Sequence, residues 1–213
     1  MNIAFIISRT IYYKYYSSLI DEALSLKFKV VCLHNYSTPK SGLKGYQFPD
    51  INKTPNFLNG SPKFENYLNI DGLVRLVKIY NVDCIVSLDV VDKEFLKKIK
   101  HNRPIWVLLQ HHADLFVENF DKLNEADLIL AKTRIWLDYA LKYNNELKGS
   151  DLSTKKLESL ISKVKFIGFP QLESAGRIDS SKIRIKYNIP KGKKVILLLH
   201  HGPSHYNNFW GKK

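Results

Sequence analysis

Val164-Lys-Phe-Ile-Gly-Phe-Pro170 is a short apolar run that stops at a glycine and a proline, the punctuation expected where a strand leaves a sheet. A short polar helix is predicted from Ser181 to Tyr187, and Asn188-Ile-Pro-Lys-Gly-Lys-Lys194 then leads into a new apolar run, Val195-Ile-Leu-Leu-Leu199. That run opens onto His200-His-Gly-Pro-Ser-His205. One domain is therefore expected over 1–170, a linker over 171–192, and the truncated start of a second α/β domain over 193–213.

Upstream, short apolar runs alternate with helical patterns. Strands are predicted at Ile3–Ile7, Lys29–His34, Cys84–Leu88, Ile105–Leu109, Leu128–Ala131 and Lys165–Gly168. Helices are predicted at Ser17–Lys27 (with Ser18 and Asp21 as a capping pair), Asp71–Tyr80, Asp92–Lys100, Arg134–Leu147 and Ser153–Ser162. Between Asn35 and Asn69 lies a long stretch punctuated by Pro39, Gly42, Gly45, Pro49, Pro55, Gly60 and Pro62, and loops of that length inside a domain are often functional. Alternating strand and helix implies parallel crossovers. Strands that are continuous apolar runs are buried on both faces. The fold class is thus α/β: a doubly wound, mostly parallel, Rossmann-like sheet, with the beginning of a second α/β domain.

The chain has 213 residues, 45% of them hydrophobic, and a formal net charge of +13. Met1 to Leu147 holds 19 Lys and Arg against 16 Asp and Glu, whereas Lys148 to Lys213 holds 14 against 4. A basic segment of that kind attracts phosphate, anionic lipid or nucleic acid, unless it is simply a solvated face of a lysine-rich composition. Cys32 and Cys84 each sit in an apolar run without a CxxC partner and read as small buried hydrophobes of a reducing compartment. The five-residue apolar stretch at the start is too short for a signal-peptide core, and no run is long enough to span a bilayer. A cytoplasmic protein is expected, with contact to the inner membrane surface available through the basic segment.

In doubly wound sheets ligands sit beyond the carboxyl ends of the strands. That rule selects Ser8 and Arg9, His34 and Asn35, Asp89, the run Gln110 to Asp114, Lys132 and Thr133, and, at the start of the second domain, His200 to His205. His111 or His112, with Asp114 or Asp89 nearby, can serve as a general base on a hydroxyl. The competing reading is a capped turn whose histidines satisfy backbone groups. The turn formed by His201, Gly202, Ser204 and His205 is a natural anion seat for a diphosphate. Tyr12 and Tyr13 can stack on a sugar ring or pack, half-buried, at a domain edge. Arg9 and His34 complete a candidate acceptor site at the mouth of the sheet. The paired histidines lack common zinc spacing, so no metal is expected. Ser8-Arg-Thr-Ile-Tyr-Tyr13 replaces any GxGxxG, and the chain contains no GxxxxGK[ST] or GxSxG. Dinucleotide, P-loop and α/β-hydrolase chemistry are accordingly disfavoured, and no cofactor is expected.

The layout resembles the GT-B type glycosyltransferases and their relatives, including sugar-nucleotide 2-epimerases and CDP-glycerol glycerophosphotransferase-like enzymes. Val164 to Pro170 is similar to the last strand of their N-terminal domain, with its V-x-x-x-G-x-P pattern. Tyr187-Asn-Ile-Pro-Lys-Gly-Lys-Lys-Val-Ile-Leu-Leu-Leu199 is similar to their linker end and first C-domain strand. Val107-Leu-Leu-Gln-His-His112 is similar to a strand that delivers a histidine-bearing loop to the cleft. The resemblance implies transfer of a sugar from a nucleotide-sugar donor to a cell-surface polysaccharide or lipid-linked acceptor. Residues 1–170 would then be the acceptor side and 193–213 the start of the donor side. It also implies that these residues alone are inactive, because the acidic residue that grips the donor ribose has no counterpart here. Alternatives are a polyol-phosphate transferase or an epimerase of the same fold, or a basic nucleic-acid-binding or scaffold domain without catalysis. Only charge supports the last of these, and no nucleic-acid partner is expected.

Overall fold

A computed structural model describes residues 1–36, 54–90, 92–99, 103–110, 123–147, 154–168, 180–186 and 188–193. The chain divides into two compact units, Met1–Gly176 and Arg177–Lys213.

The first unit is built on a seven-stranded sheet in the order β3-β2-β1-β4-β5-β6-β7, with every adjacent pair parallel. The strands are β1 (Asn2–Ile7), β2 (Lys29–Asn35), β3 (Lys63–Tyr67), β4 (Cys84–Ser87), β5 (Ile105–Leu109), β6 (Leu128–Ala131) and β7 (Val164–Phe166). The helices of this unit are α1 (Tyr13–Ser25), α2 (Ile70–Ile79), α3 (Lys93–Lys98), α4 (Arg134–Leu147) and α5 (Thr154–Lys163), and a 3₁₀ turn, Thr10–Tyr12, precedes α1. The expected parallel α/β architecture is what is observed.

Side-chain alternation divides the core in two. Ile3, Phe5 and Ile7 of β1 join Val30 and Cys32 of β2, Val86 of β4 and Val107 of β5 on one face, beneath Tyr13, Tyr16, Ile20 and Ala23 of α1. Ala4 and Ile6, Val31 and Leu33, Ile85, Trp106, Leu108 and Ile129 point to the other face. There they meet Leu73, Leu76 and Val77 of α2, Phe95 of α3, Leu137 of α4 and Leu160 of α5. Trp106 packs edge-on against Phe95, with ring centroids 5.2 Å apart. At the amino end of the sheet, Asn2 N–H donates to Asp83 Oδ2 at 2.7 Å.

Two features depart from the sequence expectation. β3 lies inside the stretch read as loop. It is an edge strand after Pro62 in which only Tyr67 is fully buried, so it lacks the continuous apolar run of its neighbours. Helix α1 begins at Tyr13 rather than Ser17, which places Ser18 and Asp21 inside the helix instead of at its cap. Asp21 holds a neighbouring segment instead. Its Oδ1 accepts from the backbone N–H of Leu58 at 2.6 Å, and its carbonyl accepts from Asn59 Nδ2 at 3.2 Å, pinning those residues to α1.

Helix ends follow local rules. Asn69 Oδ1 caps α2 through Gly72 N–H at 2.8 Å, and Asp92 Oδ1 caps α3 through Glu94 N–H at 2.7 Å, as short polar acceptors do. Helices α1 and α2 both end in a Schellman motif. Lys27 (φ 62) and Asn81 (φ 44) take the left-handed position, while Phe28 N–H reaches Ala23 O and Val82 N–H reaches Val77 O, each at 3.0 Å.

In the second unit, α6 (Ser180–Lys186) closes the same way, with Asn188 (φ 51) and Ile189 N–H on Arg184 O at 2.8 Å. Arg184 Nη1 then gathers the following turn through Pro190 O (3.2 Å) and Lys193 O (3.1 Å). The predicted strand Val195–Leu199 lies outside the described residues.

Candidate functional site

The strand order reverses direction between β1 and β4, which pair through Ile3–Cys84, Ala4–Ile85 and Phe5–Val86. The connections leaving these two strands diverge at that point, so a crevice opens beyond their carboxyl ends, where ligands of such sheets bind.

Side chains from both connections meet there. Tyr12, on the 3₁₀ turn after β1, donates its phenol to Asp89 Oδ1 at 3.0 Å. The Tyr12 side chain is buried, and Asp89 is exposed. The turn that carries Asp89 is held from beneath: Ser87 Oγ donates to the Asp89 carbonyl at 2.6 Å and accepts from Trp106 Nε1 at 2.7 Å. Ser87 and Trp106 are both almost fully buried. An indole in the core therefore fixes, through one hydroxyl, the position of a carboxylate at the surface. Asn35 Nδ2 approaches Ser8 Oγ at 3.5 Å across β1 and β2.

Beneath the crevice Tyr13 and His34 form a buried pair, with Tyr13 Oη and His34 Nε2 2.6 Å apart and the rings edge to face at 5.9 Å. Burial pushes the Tyr13 phenol well above its ordinary range, and neighbouring Cys32 adds to the effect. The Cys32 thiol is pushed up to about 12 by burial, with the Tyr13 hydrogen bond pulling slightly the other way. Tyr16 and Tyr67 are likewise raised by burial, with the Asp89 charge contributing to both. These groups are neutral near pH 7. Asp89 is the exposed acidic side chain of this group at the β1–β4 mouth.

Further along the same edge, Gln110 ends β5 and is buried. Its N–H donates to Leu130 O at 2.9 Å, and its Oε1 accepts from Lys132 N–H at 3.1 Å. The Lys132 and Lys14 ammonium groups lie 5.2 and 4.8 Å from the centroid of the Tyr15 ring. Burial lowers the Lys132 pKa, and the charge of Lys14 lowers it further.

Of the acceptor candidates, Tyr12 and Arg9 lie at the crevice, while Tyr13 and His34 lie below it. His34 is 0% exposed and Tyr13 5%, so their effect on a ligand passes through the residues above them. Of the catalytic candidates, Asp89 is placed at the mouth, and His111, His112 and Asp114 lie outside the described residues, as do His201, Gly202, Ser204 and His205. Sequence reasoning missed the Trp106–Ser87 support, since nothing in either residue's neighbourhood in the chain signals it. Among the described residues no group of three His, Cys, Asp or Glu side chains is arranged to hold a metal, and no helix is long and apolar enough to cross a membrane.

What fold and geometry define is a parallel α/β lobe with a tyrosine-anchored carboxylate at its switch point. No protein-family model and no curated protein matches the chain. Among solved structures it is similar to one described as MAR1 ribonuclease from Caenorhabditis elegans, at 10% identity and a TM-score of 0.29 over 94% of this chain and 96% of that one. A likeness at that level carries no argument about the reaction.

Proposed function

We propose that the chain is the acceptor-side lobe of a glycosyltransferase, with the β1–β4 crevice receiving a saccharide hydroxyl. The observation that supports this reading is the Tyr12–Asp89 pair at the switch point. Transfer of a glycosyl group needs a base for the acceptor hydroxyl. Asp89 is an oriented carboxylate with one oxygen committed to a phenol, which leaves the other to accept a proton or bind a sugar hydroxyl. The strand–Gly–x–Pro ending at Pro170 and the basic segment after it, noted in the sequence, suit a lobe that precedes a nucleotide-sugar-binding partner lobe and meets an anionic, lipid-linked acceptor.

The test is a two-dimensional NMR titration of the chain with neutral oligosaccharides, nucleotide sugars and a mixed-sequence RNA. Saccharides are expected to shift the backbone resonances of Ser8, Arg9, Tyr12 and Asp89, and Asp89→Asn is expected to weaken that binding roughly tenfold, the order of one charge-assisted hydrogen bond. If RNA shifts these resonances and no saccharide does, the transferase reading is wrong.

A further inference from the structure

A second constellation occupies the same edge of the sheet but different strands. Gln110 is 1% exposed, and the orientation of its amide is dictated by its neighbour: Lys132 N–H at 3.1 Å demands the oxygen, Oε1. Turning the amide over would set two donors against each other. Nε2 is thereby fixed as the remaining group, and it has no hydrogen-bond partner among the described residues. A buried donor without an acceptor is costly, and a leucine would fill the same space without that cost. On the neighbouring strand end, Thr133 Oγ1 is also buried and without a partner among the described residues.

Thr133 stands directly before α4, a helix of 14 residues with no acidic side chain in its first turn. Because its hydroxyl makes no bond to the described residues, it does not cap that helix. The nearest carboxylate on α4, Asp138, is engaged by Arg134 at 3.4 Å. Lys132, the residue before Thr133, and Lys14 of α1 place their ammonium groups 5.2 and 4.8 Å from the centroid of the Tyr15 ring, near enough for the charge of Lys14 to act on Lys132. Ammonium groups attract anions, and helix amino ends favour them through their unpaired N–H groups and dipole.

We propose that the mouth of β5 and β6 is a seat for a phosphate group. Gln110 Nε2 and Thr133 Oγ1 donate to its oxygens, and Lys132 and Lys14 neutralise its charge at the amino end of α4. The site has donors for several oxygens of one tetrahedral anion, which fits a phosphate monoester or diester better than an isolated chloride. It uses none of the residues of the Tyr12–Asp89 crevice, so it stands or falls apart from the transferase reading.

The test is titration of ¹⁵N-labelled chain with inorganic phosphate at constant ionic strength, with sodium chloride as the reference. Saturable binding is expected, with the side-chain NH₂ pair of Gln110 among the resonances that move. Lys132→Met and Thr133→Val are each expected to weaken binding roughly tenfold, and the exposed Lys14→Ala less, as each removes one charged or hydrogen-bonding contact. Lys14 is exposed and Lys132 and Thr133 are half-buried, and unchanged circular dichroism confirms that each variant is folded. Vesicles of phosphatidylglycerol, compared with phosphatidylcholine, separate the two sources of such a group. A Gln110 response to phosphate but not to vesicles assigns a soluble phosphate ester, and a response to both assigns a lipid headgroup. An unmoved Gln110 side chain at saturating phosphate, or equal affinity in Lys132→Met, overturns the proposal.

Discussion

Tyr12 and Asp89, 77 residues apart in the chain, are joined by a 3.0 Å hydrogen bond from phenol to carboxylate at the point where the strand order reverses. The bond ties the turn after β1 to the turn after β4. Tyr12→Phe keeps the buried ring and removes only the donor. It is expected to cost about 1 kcal/mol, a typical net value for one hydrogen bond, measured by urea unfolding. Asp89→Asn is expected to cost no more than that in stability, because the side chain is exposed.

The Tyr13–His34 pair lies deeper and should weigh more. Tyr13→Phe takes the phenol from His34 Nε2 in a fully buried setting, with an expected loss of about 1–3 kcal/mol. Replacing both residues, as Tyr13→Phe with His34→Leu, is expected to cost less than the two single changes added together, since no buried polar group is then deprived of the other. A double-mutant cycle by chemical denaturation checks this.

Ser87→Ala removes the acceptor of the Trp106 indole N–H and the donor to the Asp89 carbonyl at once. The indole is 2% exposed, so an unpaired N–H there is expected to destabilise by about 2 kcal/mol. Saccharide binding at Asp89 is expected to fall as well, because the turn loses its anchor. A stability loss with unchanged binding would show that the turn holds itself.

Alkaline pH should unfold this protein in a defined window. The Cys32 thiol rises from 9.0 to about 12 through burial, so it stays protonated in the folded chain after it would ionise in the unfolded one. Its contribution to stability is fully present below about pH 9 and is lost as pH climbs from there towards 12, at up to ~1.4 kcal/mol per pH unit. Tyr13, Tyr16 and Tyr67, also raised by burial, steepen the loss above about pH 10. Cys32→Ala is expected to flatten the dependence between about pH 9 and 10, whatever it does to absolute stability, as read from urea midpoints across that range.

Lys27 closes α1 in the left-handed conformation, at φ 62. A side chain there crowds its own backbone, and glycine does not. Lys27→Gly is expected to stabilise by about 0.5–1 kcal/mol, visible as a higher melting temperature. No change would mean that lysine's stem is already well accommodated.

The strands that lie between two others were legible in the sequence for a physical reason. Trp106–Leu109 and Leu128–Ala131 are buried or half-buried at every position and so must be apolar at consecutive positions. β3 was not legible, because an edge strand needs only part of one face buried, and Lys63 to Tyr67 carries Glu65 and Asn66. The start of α1 was missed because tyrosines fill its first turn and a capping pattern at Ser18 offered a plausible later beginning. The residues at the sheet mouth were legible as positions, through the rule for strand ends. Their pairings were not: Tyr12 with Asp89, Trp106 with Ser87 and Tyr13 with His34 depend on register between strands distant in the chain. The burial of His34 follows from its register beside Ile7 and Asn66 in the sheet, which no local motif encodes.

Strand β1 precedes the other six strands of its sheet in the chain yet lies between β2 and β4 in the finished sheet, and its Asn2 waits 81 residues for its bond to Asp83. Until β4 is made, the run Ile3–Ile7 has at least one edge with unsatisfied backbone groups, a surface that can add strands from a nearby chain. Nascent copies crowded on one messenger can meet through that edge before the closing strand has been made. Slower initiation, which spaces them apart, should therefore raise the soluble yield more than slower elongation, which prolongs the exposure.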